Sequence, residues 1–285
     1  MKLGVAGLMP PDLRQVDAAI ASNIAAQGFT GVSCVVGDPF QWQEASLVTI
    51  RKVLADAGVV VAQTNPRYEA LVNPDDDLRE RGIRALAYAC RCARWLGCDN
   101  VYVRPGSLNP RGHWTPHRYN THPRTIDRLI ASLRAVVPAA RDEGVTLAIE
   151  GHVVSPLETP ERVRQVIEAV GSECLRFNMD PVNFVSTLAD AYNCRPFLAQ
   201  MFDVLGEYTV CAHVKDIDVG DRLVLHLNEA VPGEGLFDQT EFVRLFELWC
   251  PDRFALIEHL PDQQVPAAKA AMDRAAADAG IVWRR

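Results

Sequence analysis

The feature that most constrains the fold of this 285-residue chain is a recurring unit: a helical stretch ends at a glycine, and a short apolar strand follows. Glycine is expected at such helix ends because it adopts the left-handed cap conformation without strain. The strands that follow are nearly continuous apolar runs, which is typical of parallel strands buried on both faces. The unit is clearest in NIAAQGFTGVSCVV, KVLADAGVVVAQT, ARWLGCDNVYVRP and AARDEGVTLAIEG.

Eight strands are predicted along the chain, at residues 2–8, 31–37, 59–65, 100–106, 146–152, 176–183, 209–216 and 254–260. Strands that alternate with helices predict right-handed βαβ units, and eight of them predict a closed (β/α)8 TIM barrel. The rival fold, an open doubly wound sheet, requires a glycine-rich phosphate loop after an early strand, and none is present. Because no interdomain linker is seen, we expect a single α/β domain over residues 1–285.

Polar residues stand at the carboxyl ends of the last four predicted strands. In a (β/α)8 barrel the active site lies at that end of the strands. Strand five ends in Glu150 and His152, strand six in Asp180, strand seven in His213 and strand eight in Glu258. Because side chains alternate between faces along a strand, one inward-facing set would aim two glutamates, an aspartate and a histidine at a single point.

Three carboxylates cannot be buried side by side as anions without a compensating charge. A divalent cation supplies this charge, and an oxygen-rich set with one imidazole suits Mn²⁺, Mg²⁺ or Co²⁺, with Zn²⁺ also acceptable. Each of these residues alone is more often a surface or hydrogen-bonded group than a ligand. Their consistent position in the repeat favours a shared metal site, and Mn²⁺ is the ion we expect.

Charge and hydropathy disfavour several classes of partner. The formal net charge of −7 argues against binding to a phosphate backbone, so no nucleic-acid partner is expected. No apolar run is long enough to span a bilayer, and the first residues make a poor signal peptide, so we predict a cytoplasmic protein without a membrane partner. The eight cysteines, which lack a CxxC pair, are expected to be buried free thiols. A homo-oligomer is compatible with the sequence.

The motifs AIEGH, MDPVN, AHVKD, VPGEGLFD and LIEH, in this order, resemble those of the xylose-isomerase-like barrels, the sugar phosphate isomerase/epimerase superfamily. The resemblance covers the whole chain, with its motifs concentrated in the C-terminal half. It implies metal ligands at Glu150, Asp180, His213 and Glu258, and it implies that the two glutamates act as an acid/base pair on opposite faces of the substrate.

Two positions depart from the pattern of this family. Asn183 stands where relatives often have a histidine, and the stretch AQTNPRY replaces one in which several relatives carry a histidine. These departures leave the family clear and the substrate open.

Further polar residues near the predicted barrel mouth are candidate substrate contacts. Two interpretations of Lys215 stay open, a substrate contact and an ion pair with a carboxylate such as Asp216. His152 is expected either to bind substrate or to orient Glu150. The loop at 112–122 either folds over the substrate through Trp114 or is a solvated loop. The remaining candidates are Asn183, Asn65, Gln63, Arg104 and Glu234.

The residues and the resemblance together predict a metal-dependent isomerase or epimerase of a small sugar, ketose or hydroxy-keto acid. A metal on the carbonyl oxygen would stabilise an enediolate while one glutamate removes the α-proton and the other returns a proton. The main alternative is a dehydratase of the inosose type on the same scaffold, in which a hydroxyl group leaves. The acidic balance disfavours an endonuclease-type barrel, and the complete ligand set disfavours a non-catalytic binding protein.

Overall fold

The computed structural model describes residues 1–284 and contains one closed barrel of eight parallel strands, which confirms the predicted (β/α)8 fold. Along the chain the barrel strands are β1 Lys2–Val5, β2 Gly31–Gly37, β3 Val60–Pro66, β4 Asn100–Val103, β5 Thr146–Ile149, β6 Leu175–Met179, β7 Thr209–Val214 and β10 Phe254–Ile257. Each barrel strand pairs with the next along the chain, and β1 closes the ring against β10 with Leu3 opposite Ala255.

The described residues form nine α-helices: α1 Ala18–Ala26, α2 Glu44–Asp56, α3 Asp76–Leu96, α4 Pro123–Glu143, α5 Pro160–Val170, α6 Leu188–Tyr192, α7 Cys194–Leu205, α8 Gln239–Trp249 and α9 Val265–Asp278. The predicted glycine caps are present after α3, α4 and α5, where Gly97, Gly144 and Gly171 have φ values of 70°, 66° and 71°. Their backbone N–H groups donate to carbonyl groups of the last helical turn, which satisfies carbonyls that the helix itself leaves free.

None of the helices within residues 1–284 combines the length and the apolarity that crossing a bilayer requires.

Six of the eight barrel strands end earlier than predicted on the side of the barrel mouth. Glu150 and Glu258 are the first residues after β5 and β10, and Asp180 directly follows β6. Asn183, predicted to lie at the end of a strand, lies in a 3-10 turn over Pro181–Phe184. Pro181 has no N–H group to continue the hydrogen-bonded ladder, so the chain turns at this point. Glu150, Asp180 and Glu258 therefore stand on the turns that follow their strands, whereas His213 lies within β7.

A two-stranded antiparallel hairpin follows β7 and was not predicted. It pairs β8 Asp216–Val219 with β9 Leu227–Ala230. The buried carboxylate of Asp216 accepts hydrogen bonds from four backbone N–H groups, those of Ile217, Gly233, Gly235 and Phe237. A Cβ atom at Gly235 would collide with this carboxylate, so the close approach requires a glycine. Asp216 thus anchors the segment after β9 to the barrel mouth.

Candidate metal centre and active site

Four side chains converge at the carboxyl ends of β5, β6, β7 and β10, as the sequence pattern indicated. His213 Nδ1 lies 2.9 Å from Glu150 Oε2 and 3.1 Å from Glu258 Oε2. One ligand atom each from Glu150, Asp180 and His213 lies within 4.8 Å of the others, and all three residues are buried. Glu150, Asp180 and His213 therefore form one cluster, and Glu258 adjoins it through its contact with His213.

The ammonium group of Lys215 lies among the same carboxylates. Its Nζ atom is 2.9 Å from Asp180 Oδ2 and 3.0 Å from Glu258 Oε1, and it donates a hydrogen bond to Asn183 Oδ1 at 3.1 Å. Lys215 thus forms buried ion pairs, but its partners are Asp180 and Glu258 rather than Asp216. A contact between Lys215 and substrate stays a prediction.

Burial and these ion pairs shift the pKa values of the cluster in opposite directions. Burial raises the pKa of Asp180 to about 7, against the opposing influence of Lys215. Burial lowers the pKa of His213, but the carboxylates of Glu258 and Glu150 outweigh it and raise this pKa to about 10. Burial also raises the pKa of Glu258, but His213 and Lys215 hold it well below its usual range. An imidazolium and an ammonium group therefore balance the carboxylates when no metal does so.

Glu150 is oriented by hydrogen bonds from three neighbouring side chains. Tyr102 Oη and Asn183 Nδ2 each donate to its Oε1 atom at 2.9 Å. Asn178 Nδ2 donates to its Oε2 atom at 2.6 Å. Tyr102 and Asn178 lie inside the apolar strands β4 and β6 and were not predicted from the sequence. A polar group within a buried strand was the available signal, because burial without a hydrogen-bond partner is costly.

Three buried atoms of the cluster match what a cation needs. Apart from the ion-pair contacts above, both carboxylate oxygens of Asp180 and the Nδ1 atom of His213 lack a hydrogen-bond partner within residues 1–284. Such atoms are rare in protein interiors because they lose hydration without a substitute. Carboxylate oxygens with one imidazole nitrogen form a donor set that Mn²⁺ and Mg²⁺ accept. The residues present therefore fit a divalent cation.

A cavity of about 530 Å³ opens over Lys215 and Glu258, within the size range of small-molecule sites. Glu234, a predicted substrate contact, lines this cavity together with Glu229 and His259. His259 has a left-handed φ of 59°, and its Nδ1 atom is 2.9 Å from Glu229 Oε1. The hydrogen bond with Glu229 raises the pKa of His259. The cavity thus offers charged and hydrogen-bonding groups beside the convergent ligands.

The other predicted substrate contacts lie outside the lining of this cavity. The ring of His152 lies 5.9 Å from that of Trp114, measured between centroids, so the loop after β4 does reach the neighbourhood of the site. Arg104 Nη1 donates to Asn65 Oδ1 at 3.1 Å, which pairs these two candidates with each other. Gln63 is buried beneath the cluster rather than on the cavity wall.

Residues 21–274 match the family model described as xylose isomerase-like TIM barrel. The chain belongs to this family. The match confirms the resemblance drawn from the motifs at the ends of the strands, and it agrees with the closed eight-stranded barrel. No curated protein matches the sequence.

Solved structures that share the xylose isomerase-like fold include sugar epimerases. A D-psicose 3-epimerase in the presence of D-fructose has a TM-score of 0.74 at 16% identity, covering 98% of this chain and 100% of that one. An L-ribulose 3-epimerase has a TM-score of 0.73 at 17% identity, covering 100% and 99%. A xylose isomerase-like protein from Mycobacterium smegmatis in complex with magnesium has a TM-score of 0.72 at 17% identity, covering 97% and 95%. At these identities the likeness shows the shared fold.

Proposed function

We propose that this protein is a divalent-metal-dependent isomerase or epimerase that transfers a proton next to the carbonyl group of a small sugar, ketose or hydroxy-keto acid. The observation that carries the proposal is the convergence of three carboxylates and the Nδ1 atom of His213 beside a polar cavity. The sugar epimerases among structures of the same fold support this reaction class.

Glu150, Asp180, His213 and Glu258 would hold the ion, for which Mn²⁺ is the expected species and Mg²⁺, Co²⁺ and Zn²⁺ are alternatives. When bound, the ion supplies Lewis-acid stabilisation of the negative charge that develops on the substrate as it loses a proton. The protein residues then have to bind the substrate, orient it and move the proton.

Glu258 lines the cavity beside Lys215, so we assign it as the base on the cavity side. Glu150 lies deeper, where Tyr102 and Asn183 orient its Oε1 atom. In this proposal Glu150 carries a proton at the start of the cycle and donates it to the opposite face of the substrate, and proton exchange with solvent then restores both glutamates. Lys215 lies between Asp180 and the cavity, where it would donate to a hydroxyl or enediolate oxygen.

Deuterium incorporation tests this proposal. With Mn²⁺ and an accepted ketose in D₂O, the wild-type protein is expected to place deuterium on the carbon next to the carbonyl group. Glu150→Gln and Glu258→Gln are expected to keep the fold and lose turnover by at least about 10²-fold, because each removes a general acid–base group. Glu80→Gln, an exposed position on α3, is the control and should retain turnover.

Three outcomes would contradict the proposal. The first is a wild-type protein that binds no divalent metal. The second is turnover that persists undiminished in a strong chelator. The third is turnover without exchange of deuterium or movement of a labelled α-hydrogen. A product lighter by one water would instead identify the dehydratase alternative, since both reactions begin with loss of the same proton.

A further inference from the structure

Two buried amide side chains connect two of the proposed metal ligands beneath the cavity. His213 Nε2 lies 2.9 Å from Gln63 Oε1, and Gln63 Nε2 donates to Asn178 Oδ1 at 2.9 Å. The chain of hydrogen bonds ends where Asn178 Nδ2 donates to Glu150 Oε2 at 2.6 Å. Gln63 lies on β3 and Asn178 on β6, so the chain crosses the barrel interior. Both amides are buried, with exposed fractions of 1% and 0%.

The direction of this chain is set at the carboxylate of Glu150. A carboxylate accepts hydrogen bonds only, so the Asn178 amide must present its NH₂ group to Glu150 and its oxygen to Gln63. The Gln63 amide must then present its NH₂ group to Asn178 and its oxygen to His213. An amide oxygen cannot donate, so His213 must carry a hydrogen on Nε2.

The hydrogen on Nε2 has a consequence at the other nitrogen of the same ring. With Nε2 protonated, Nδ1 of His213 is the atom that can offer a lone pair, and Nδ1 is the atom that faces the carboxylates of Glu150 and Glu258. Metal-bound histidines generally donate their second N–H to such a partner, which fixes the tautomer and orientation of the ring. Here the partner is Gln63, which is connected through Asn178 to Glu150, another proposed ligand.

We propose that Gln63 and Asn178 are positioning residues that let Glu150 dictate the tautomer of His213 and thereby reserve Nδ1 for the metal. The proposal rests on the metal site proposed above. It assigns to both amides a role that apolar side chains of similar shape could not perform. If they only filled the interior of the barrel, apolar replacements would leave metal affinity unchanged.

The decisive measurement is the affinity for Mg²⁺ or Mn²⁺, by titration calorimetry of folded protein freed of metal. Gln63→Met keeps the length of the side chain but removes the acceptor of the Nε2 hydrogen. We expect metal binding about 10- to 100-fold weaker, the range for loss of such a partner. Asn178→Leu should weaken binding similarly. The variant that carries both substitutions should bind metal as tightly as the more weakly binding of the two single variants, because the two amides act as one chain.

Thr64→Val is the matched control. Thr64 is buried next to Gln63 on β3, but its hydroxyl group belongs to no part of this chain of hydrogen bonds. Its replacement should leave the affinity for metal within about twofold of the wild type, the scatter expected for sites that do not interact.

A spectroscopic signature separates positioning from general stability. In protein labelled with ¹⁵N-histidine and loaded with diamagnetic Mg²⁺, His213 should show a slowly exchanging Nε2 proton, assigned by its absence in His213→Gln. The signal should persist in Thr64→Val and be lost or exchange rapidly in Gln63→Met. If Gln63→Met does not fold, Asn178→Leu carries the same tests.

Unchanged metal affinity in a folded Gln63→Met variant, or a strictly additive double variant, would overturn the positioning role and leave the proposed reaction intact. Absence of metal binding in the wild type would overturn the proposed function as well, so the two failures are distinguishable.

Discussion

Lys215 carries an ammonium group into a cluster of buried carboxylates, where it contacts Asp180 and Glu258. Desolvation offsets much of the attraction in such pairs, but removal of one partner leaves the other charge buried without compensation. Burial lowers the pKa of Lys215, while Asp180 and Glu258 outweigh burial and raise it well above its usual value. Lys215 is therefore charged at neutral pH and belongs to the charge balance of the folded site.

We expect Lys215→Met to lower the free energy of unfolding in the presence of chelator by about 3–5 kcal/mol, the range for breaking a buried pair. Added Mn²⁺ should recover part of the loss, because the ion would neutralise the same carboxylates. Urea denaturation with and without Mn²⁺ measures both effects. The control is Lys269→Met, which breaks a partly exposed pair with Asp273 and should cost under about 1 kcal/mol. Equal losses in the two variants would contradict this account.

Among the structural elements, the loop between β4 and α4 contains a histidine that burial keeps neutral. His113 Nε2 lies 2.9 Å from the carbonyl oxygen of Tyr68, to which it donates as the neutral ring, and its centroid is 5.3 Å from the Tyr68 ring. Burial, with a smaller contribution from Arg104, lowers the pKa of His113 to about 4. Protonation would bury a charge at this position, so it opposes the folded position of the loop even though the hydrogen bond with Tyr68 favours the charged ring.

The depressed pKa makes the stability of this loop depend on pH. In the unfolded chain a histidine titrates near pH 6.5, so the stabilisation is complete above that pH and is lost as pH falls from about 6.5 through about 4. We expect this residue to account for about 1–3 kcal/mol of the acid loss of stability. His113→Gln should flatten the pH dependence of the denaturation midpoint over this range, whereas His226→Gln, in the exposed part of the hairpin, should not. Parallel profiles for the two variants would refute this assignment.

At the scale of the whole molecule, closure of the barrel places the proposed ligands, which come from four separate strand ends, close together. Glu150, Asp180, His213 and Glu258 are distant in the sequence and come together only when β5, β6, β7 and β10 lie side by side. An unfolded chain cannot hold this arrangement, so a metal that binds here should stabilise the folded state by mass action.

At a free metal concentration of about 100 times the dissociation constant, the stabilisation should be about 2.7 kcal/mol, which raises the thermal midpoint by several degrees. Differential scanning calorimetry with Mn²⁺ and with chelator measures the shift. Asp180→Asn should bind metal weakly and show little shift. A midpoint unaffected by metal in the wild-type protein would argue against a site formed by the native barrel.

The (β/α)8 architecture and the strand ends that carry the proposed site follow from the sequence alone. Buried parallel strands need apolar side chains on both faces, and many helix ends need glycine. Short segments of the sequence are therefore enough to identify both. The same logic indicated which strand ends carry carboxylates and imidazole, because the repeat gives each residue a fixed place in the barrel. The ends of the strands are less determined by the sequence: the apolar pattern predicts strand six as far as residue 183, whereas the strand ends at Met179, before Pro181.

Contacts between side chains that are distant in the sequence follow from the folded structure. The sequence leaves two partners for Lys215, Asp216 and the substrate, and the structure pairs it with Asp180 and Glu258 instead. The carboxylate of Asp216 binds backbone N–H groups of the segment after β9. Gln63 and Asn178 are far apart in the sequence, yet they meet across the barrel interior. Hydrogen bonds and ion pairs act over a few ångströms in space, so partners brought together by closure of the barrel leave no trace in local sequence periodicity.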